Sequence, residues 1–258
     1  MALTKKIIIF AHRHRHRKFG HFSFPGNRFV QSLRVLPNLF TMSNALCGFG
    51  SIICAGCGNF KAAAVGILAG AFMDSLDGRI ARYTNFTSNL GLQLDSLSDA
   101  VTFCLAPALL AYTWQLSNFG YIGFFACGAF LAAGLLRLAR FNITHSQQTN
   151  SFIGTPTPIA GCLIAAVLLA THTPLLSSVS LTCFLVLMPV LAGLMISTIP
   201  FPTFKHIAQR RYYALAILSW LALAIVAGIT QALLISLIAY FIFALEEHLR
   251  RNHCVFKR

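Results

Sequence analysis

Acidic residues are almost missing from this chain: six in 258, against twenty lysines and arginines, with charged side chains only 10% of the total. A soluble domain carries about a quarter, and 57% of these residues are hydrophobic, so the composition excludes an ordinary soluble fold and points to an integral membrane protein. The net charge of +14 does not argue for nucleic acid, because the bases do not gather on one soluble face. Eight cysteines, at 47, 54, 57, 104, 127, 162, 183 and 254, fall mostly within apolar runs. Cys54-Ala55-Gly56-Cys57 has C-x-x-C spacing but no second pair or ligating histidine nearby. Zinc and redox motifs are therefore set aside, and the thiols are expected to be small buried packing groups. The N-terminal apolar run Ile7–Phe10 is too short for a signal core or a span.

What is present is a series of apolar segments long enough to cross a hydrocarbon core of about 30 Å. We read eight transmembrane helices at 36–57, 60–82, 90–114, 119–141, 156–172, 178–199, 210–228 and 230–247, in an all-α membrane protein. Pro37 suits the first position of the first helix. Residues 1–35 form a basic arm and 248–258 a basic tail, flanking a polytopic domain over 36–247. With both termini cytoplasmic, nineteen of the twenty lysines and arginines fall on the cytoplasmic side, Lys61 being the exception, as the positive-inside rule requires. The His12, His14 and His16 alternation with Arg13, Arg15 and Arg17 reads as an arm for anionic lipid rather than a metal site.

Four of the six acids lie within 26 residues: Asp74, Asp77, Asp95 and Asp99. The i, i+3 and i, i+4 spacings put each pair on one helix face. An ionised carboxylate near the bilayer centre costs at least ~2.5–3.5 kcal/mol. Helices two and three are consecutive and antiparallel, and each pair lies near its helix's cytoplasmic end, so the carboxylates are expected to converge in the cytoplasmic half of the membrane. Such a cluster demands protons or divalent cations. Oxygen-only ligands favour Mg²⁺, Mn²⁺ or Ca²⁺, and paired hard cations suit phosphoryl transfer. Gly78 offers a close approach to the backbone, and Arg82 a bidentate phosphate donor. Salt bridging to Arg79 and Arg82 is the structural alternative, but two arginines cannot neutralise four aspartates.

The stretch reads D-S-L-D-G-R-I-A-R, eight residues, then G-L-Q-L-D-S-L-S-D. This resembles the signature of the CDP-alcohol phosphotransferases, D-x-x-D-G-x-x-A-R followed after seven or eight residues by G-x-x-x-D-x-x-x-D, and all eight specified positions match. The resemblance implies a six-helix catalytic core and a homodimer. It also implies that Asp74, Asp77 and Asp95 hold two metal ions, with Asp99 contributing and deprotonating the acceptor alcohol. Asn38, Thr41, Asp74, Gly78 and Arg82 would then bind the CDP-linked lipid.

From Leu36 to about Lys205 the chain resembles, within that family, the prokaryotic phosphatidylserine synthases. The marks are Pro37-Asn38-Leu39-Phe40-Thr41 with Asn44, Gln93 to Asp99, Arg137-Leu138-Ala139-Arg140-Phe141-Asn142, Phe152 to Pro158, and Pro200 to Lys205. Phe201 and Thr203 stand where Tyr and Ser are usual in that group. This implies CDP-diacylglycerol and L-serine as substrates, with Asn44, Ser96, Arg137, Arg140 and Asn142 at the serine or phosphate. Each has a plainer reading: interhelical hydrogen bonds for Asn38, Thr41 and Asn44, and positive-inside anchoring for Arg137 and Arg140. Rival functions are the same chemistry on glycerol 3-phosphate or inositol phosphate, and a cation- or proton-coupled transporter. Gly66-x-x-x-Gly70 on the second helix marks a close-packing surface that helps set the metal site.

Overall fold

In the first apolar helix the usual pattern is reversed. Leu39, Met42, Leu46, Phe49 and Ile53 are exposed, while Thr41, Asn44, Gly48, Ser51 and Ala55 are buried. Both sets repeat at three- and four-residue steps, so each forms one stripe of the helix. A soluble helix would bury the leucines. Outward apolar and inward polar or small residues suit a helix whose surroundings are hydrocarbon and whose neighbours are approached closely.

The computed structural model describes residues 28–84, 89–145, 152–171, 181–197, 200–201, 231 and 235–239. Met1–Leu33 and Arg34–Arg258 form two units; the site lies in the second. The elements are α1 (Arg28–Gly56), α2 (Phe60–Thr84), α3 (Asn89–Asp99), a π-helical segment (Ala100–Leu105), α4 (Ala106–Trp114), a 3₁₀ turn (Leu116–Phe119), α5 (Tyr121–His145), β1 (Phe152–Ile153), α6 (Thr157–Thr171), α7 (Leu181–Ile196) and β2 (Pro200–Phe201). Among the described residues, three stretches are long and apolar enough to cross a membrane: Asn38–Gly56, Leu90–Trp114 and Tyr121–Ile143. The protein is a helical membrane protein.

Two expectations need correction. The first helix starts at Arg28, so Pro37 is internal rather than at its first position; a proline there leaves the carbonyl four residues earlier without its helical N–H, a loss one turn of a long helix absorbs. The third span is one continuous rod in outline but contains a π turn directly after Asp99, where the Ala106 N–H bonds the Val101 carbonyl. The all-helical fold class holds apart from one two-residue pairing, β1 with β2 antiparallel, Phe152 opposite Phe201 and Ile153 opposite Pro200. The seventh expected span, the eighth apart from residues 231 and 235–239, the His/Arg arm, the tail and Lys205 lie outside the described residues.

The π segment is the centre of the packing. Thr102, Phe103 and Cys104 are fully buried there, and glycines on four helices face it. Gly48 of α1 and Gly70 of α2 abut Thr102, Gly134 of α5 abuts Cys104, and Gly161 of α6 lies against the Phe103 backbone. Around it α5 packs along α7 and α2 along α6. The core is built from Ala63, Ala64, Ile67, Leu110, Phe130, Ile164, Leu168 and Met188 among others. Cys47, Cys54, Cys57, Cys104, Cys127 and Cys162 are free; Cys104 and Cys127 are buried as expected, whereas Cys57 is exposed in the turn after α1.

Candidate metal centre and its surroundings

Helices α2 and α3 bring the aspartates together because each carries its pair on the face turned inward. Carboxylate oxygens of Asp74, Asp95 and Asp99 all lie within 4.8 Å of one another. At that separation, like charges repel by on the order of 3 kcal/mol per pair at an effective dielectric near 20. Asp99 is repelled by Asp74, Asp95 and Asp77 and attracted by Arg137. Asp77 stands beside the trio, buried, and its Oδ2 accepts a 2.9 Å hydrogen bond from the Thr41 hydroxyl.

Asn44 does for Asp99 what Thr41 does for Asp77. Its Nδ2 donates to Asp99 Oδ1 at 3.3 Å, and the residue is completely buried. The other amide atom, Asn44 Oδ1, is buried with no partner among the described residues. Oxygen acceptors therefore outnumber donors here. This is the donor set of a hard divalent cation, and the residues fit such an ion.

The remaining sequence-predicted residues fall into separate groups. Gly78 is half-buried on α2, and a Cβ placed there would meet nothing within 4 Å, so open space lies beside Asp77. Asn38 sits half-buried one turn before Thr41. Arg82 is in the last turn of α2, and its side chain lies outside the described set. The Ser96 hydroxyl donates to Asn142 Oδ1 at 3.0 Å and to the Leu92 carbonyl at 3.2 Å, tying α3 to the end of α5. Arg137 is buried and donates to the Thr157 hydroxyl at 3.2 Å.

Arg140 donates to the Ile196 carbonyl at 3.2 Å, at the end of α7. The same corner holds Gly154 at φ 84°, where a Cβ would fall 2.6 Å from the Met195 carbonyl oxygen and 2.9 Å from the Arg140 guanidinium. Only glycine has both the backbone freedom and the absent side chain that this corner requires. The Thr155 N–H bonds the Leu194 carbonyl at 3.3 Å, so the loop before α6 is fastened to the end of α7.

Two residues that the sequence reading passed over complete the site. Ser98 and Thr102, both buried, donate their hydroxyls to the main-chain carbonyls of Thr41 at 2.8 Å and Asn44 at 2.9 Å. Their four-residue spacing beside the aspartates was visible. The carbonyls they meet belong to a helix more than fifty residues away, which spacing does not reveal.

A family model described as CDP-alcohol phosphatidyltransferase matches residues 34–196. The chain is 37% identical over 218 residues to a CDP-diacylglycerol–serine O-phosphatidyltransferase of Helicobacter pylori, covering 84% of this chain and 92% of the relative. It is 38% identical over 179 residues to the Bacillus subtilis protein of the same name, covering 69% of this chain and 96% of the relative. It is 35% identical over 175 residues to an archaetidylserine synthase of Methanothermobacter thermautotrophicus, with coverage of 67% and 72%.

Proposed function

The chain belongs to the CDP-alcohol phosphatidyltransferase family, and from that premise we propose that it transfers the phosphatidyl group of CDP-diacylglycerol to L-serine, releasing CMP. The observation that carries the reading is the convergence of Asp74, Asp95 and Asp99 within 4.8 Å, on helices whose sequence matches the family signature. In our reading, Asp74, Asp77, Asp95 and Asp99 hold two divalent cations, Mg²⁺ or Mn²⁺. Bound there, the ions supply positive charge to offset the diphosphate.

The chain's own residues then have distinct tasks. Asp99 takes the serine hydroxyl proton. The serine oxygen forms a bond to the phosphorus that carries diacylglycerol, and the bond from that phosphorus to the CMP oxygen breaks. Thr41 and Asn44 hold Asp77 and Asp99 in place, Thr41 on the side of the bound lipid donor and Asn44 on that of serine and its phosphate. The open space at Gly78 admits the CDP moiety, with Asn38 and Arg82 beside it. The buried guanidinium of Arg137 meets serine's carboxylate or the phosphate, with Arg140, Ser96 and Asn142 forming the neighbouring wall.

The reading extends to the whole chain. Eight spans around a six-helix core, with both termini cytoplasmic, place the diphosphate at the cytoplasmic interface while the acyl chains stay in the bilayer. The basic arm over 1–35 and the tail over 248–258 lie at the same membrane surface, and the chain acts as a homodimer.

The direct test is headgroup incorporation by purified protein in lipid. Labelled serine is expected in the lipid product and CMP in solution, only with Mg²⁺ or Mn²⁺ present. Chelation stops turnover and added Mn²⁺ restores it. Turnover that survives full chelation, or glycerol 3-phosphate outcompeting serine, sinks the proposal.

Gly78→Ala supplies a second, local check. Because a Cβ meets nothing there, the thermal transition should not fall; alanine gains about 1 kcal/mol of helix propensity over glycine. The KM for CDP-diacylglycerol should nonetheless rise about tenfold, since the methyl enters the space assigned to the nucleotide. An unchanged KM removes Gly78 from the donor site.

A further inference from the structure

We infer that Ser98 and Thr102 are positioning residues of the carboxylate site, setting the register of α1 so that Thr41 and Asn44 reach Asp77 and Asp99. The inference rests on the reading of the four aspartates as the metal site, and adds what holds that site in shape. The connections form two parallel chains. In one, the Ser98 hydroxyl donates to the Thr41 carbonyl, and the Thr41 hydroxyl donates to Asp77. In the other, the Thr102 hydroxyl donates to the Asn44 carbonyl, and Asn44 Nδ2 donates to Asp99. Each residue of α1 thus receives a bond on its backbone from the α3–π rod and passes one from its side chain to a carboxylate.

Spacing makes the two chains a ruler. Thr41 and Asn44 are three residues apart on α1, and Ser98 and Thr102 four apart on the rod, so both rungs are met in one alignment of the helices. Sliding α1 by one residue, about 1.5 Å, would break both rungs together. The rod's own aspartates, Asp95 and Asp99, share the face that carries the two hydroxyls, so the element that is measured also bears half of the site. Packing enforces the contact: Gly48 and Gly70 leave room for Thr102 that a methyl group would fill.

The test uses the full chain in lipid nanodiscs, with two readouts: Mn²⁺ binding by electron paramagnetic resonance without substrate, and steady-state serine-dependent CMP release. Thr102→Val keeps the shape and removes the hydroxyl, Ser98→Ala removes the other rung, and the pair is combined. The double variant is expected to bind Mn²⁺ about tenfold more weakly and to lose about tenfold in kcat, the scale of one or two net hydrogen bonds. At saturating Mn²⁺ the KM for CDP-diacylglycerol should move less than about twofold, because both hydroxyls bond main-chain carbonyls of α1 and not the space beside Gly78. Thr102→Ser should restore both values.

Thr113→Val serves as the control, since that hydroxyl bonds only its own helix, at the Leu109 and Leu110 carbonyls. Wild-type Mn²⁺ binding and kcat in the double variant overturn the inference, as does an equal loss in Thr113→Val. Ser98→Ala alone decides the matter if Thr102→Val does not fold. A wild-type protein that releases CMP on serine but binds no Mn²⁺ defeats the metal-site reading instead, a separate result.

Discussion

Asp99→Asn is expected to abolish serine-dependent CMP release, by about 10³-fold or more, while the protein folds as well as before or better. General-base catalysis alone is worth about 10²–10⁴-fold, and an amide has no basic oxygen for the serine proton. The change is isosteric, and Asn44 Nδ2, now 3.3 Å from Asp99 Oδ1, can donate equally to the new carbonyl oxygen. What disappears is a negative charge repelled by Asp74, Asp95 and Asp77. Without added metal, the variant's thermal transition should therefore lie at or above that of the wild type, a site where activity and stability oppose one another. Parallel measurement of CMP release and of thermal unfolding decides it. A variant that keeps a tenth of the activity takes the base role away from Asp99, and one that unfolds shows that the carboxylate is structural.

The second large effect comes from a residue with no functional group. In Gly70→Ala the new Cβ would fall 2.5 Å from Thr102 Cγ2 and 2.8 Å from Asn44 Oδ1, distances that real contacts do not sustain. Overpacking of this kind costs about 1–3 kcal/mol. The strain is aimed at Asn44, which holds Asp99, and at Thr102, which bonds the Asn44 carbonyl, and a misplacement near 1 Å can cost about 10²-fold in rate. We expect a 10²-fold loss of kcat, with the thermal transition lowered. Gly78→Ala, eight residues along the same helix, should leave the transition intact. If Gly70→Ala turns over at the wild-type rate, the contact of α2 with α1 and the π segment does not govern the site.

The sequence disclosed the aspartates well because carboxylates are so costly in an apolar segment that each one present needs a reason. Helix spacing paired them, and antiparallel neighbours at matched depth brought them together, as observed for Asp74, Asp95 and Asp99. Gly66 and Gly70 were legible as a contact surface, and their partner is α1: Gly66 faces Ser51 and Cys47, and Gly70 faces Asn44.

What stayed hidden was whatever depends on a distant backbone. Thr41 and Asn44 resemble ligand-binding residues, and spacing alone does not disclose that both also donate to the aspartates. The π turn leaves no mark in Ala100–Leu105, whose apolar residues suit an α-helix equally well. Its reason is tertiary: four helices crowd that segment. Arg140 read as a phosphate ligand, and its bond to the Ile196 carbonyl depends on where α7 ends, which no local pattern discloses.

The glycines around the π segment carry a consequence for inherited variation. At Gly48, Gly70 and Gly134 a methyl group would fall within 2.5 Å of a neighbouring atom, and at Gly161 it would press on the Phe103 backbone at 3.0 Å. Every single-base change of a glycine codon that alters the residue and keeps the chain going introduces a side chain of at least that size. These four positions therefore have no conservative neighbour in the genetic code. Asparagine and glutamate each lie one base change from aspartate, whereas the least noticeable residues of the chain are the ones at which drift has nowhere to go.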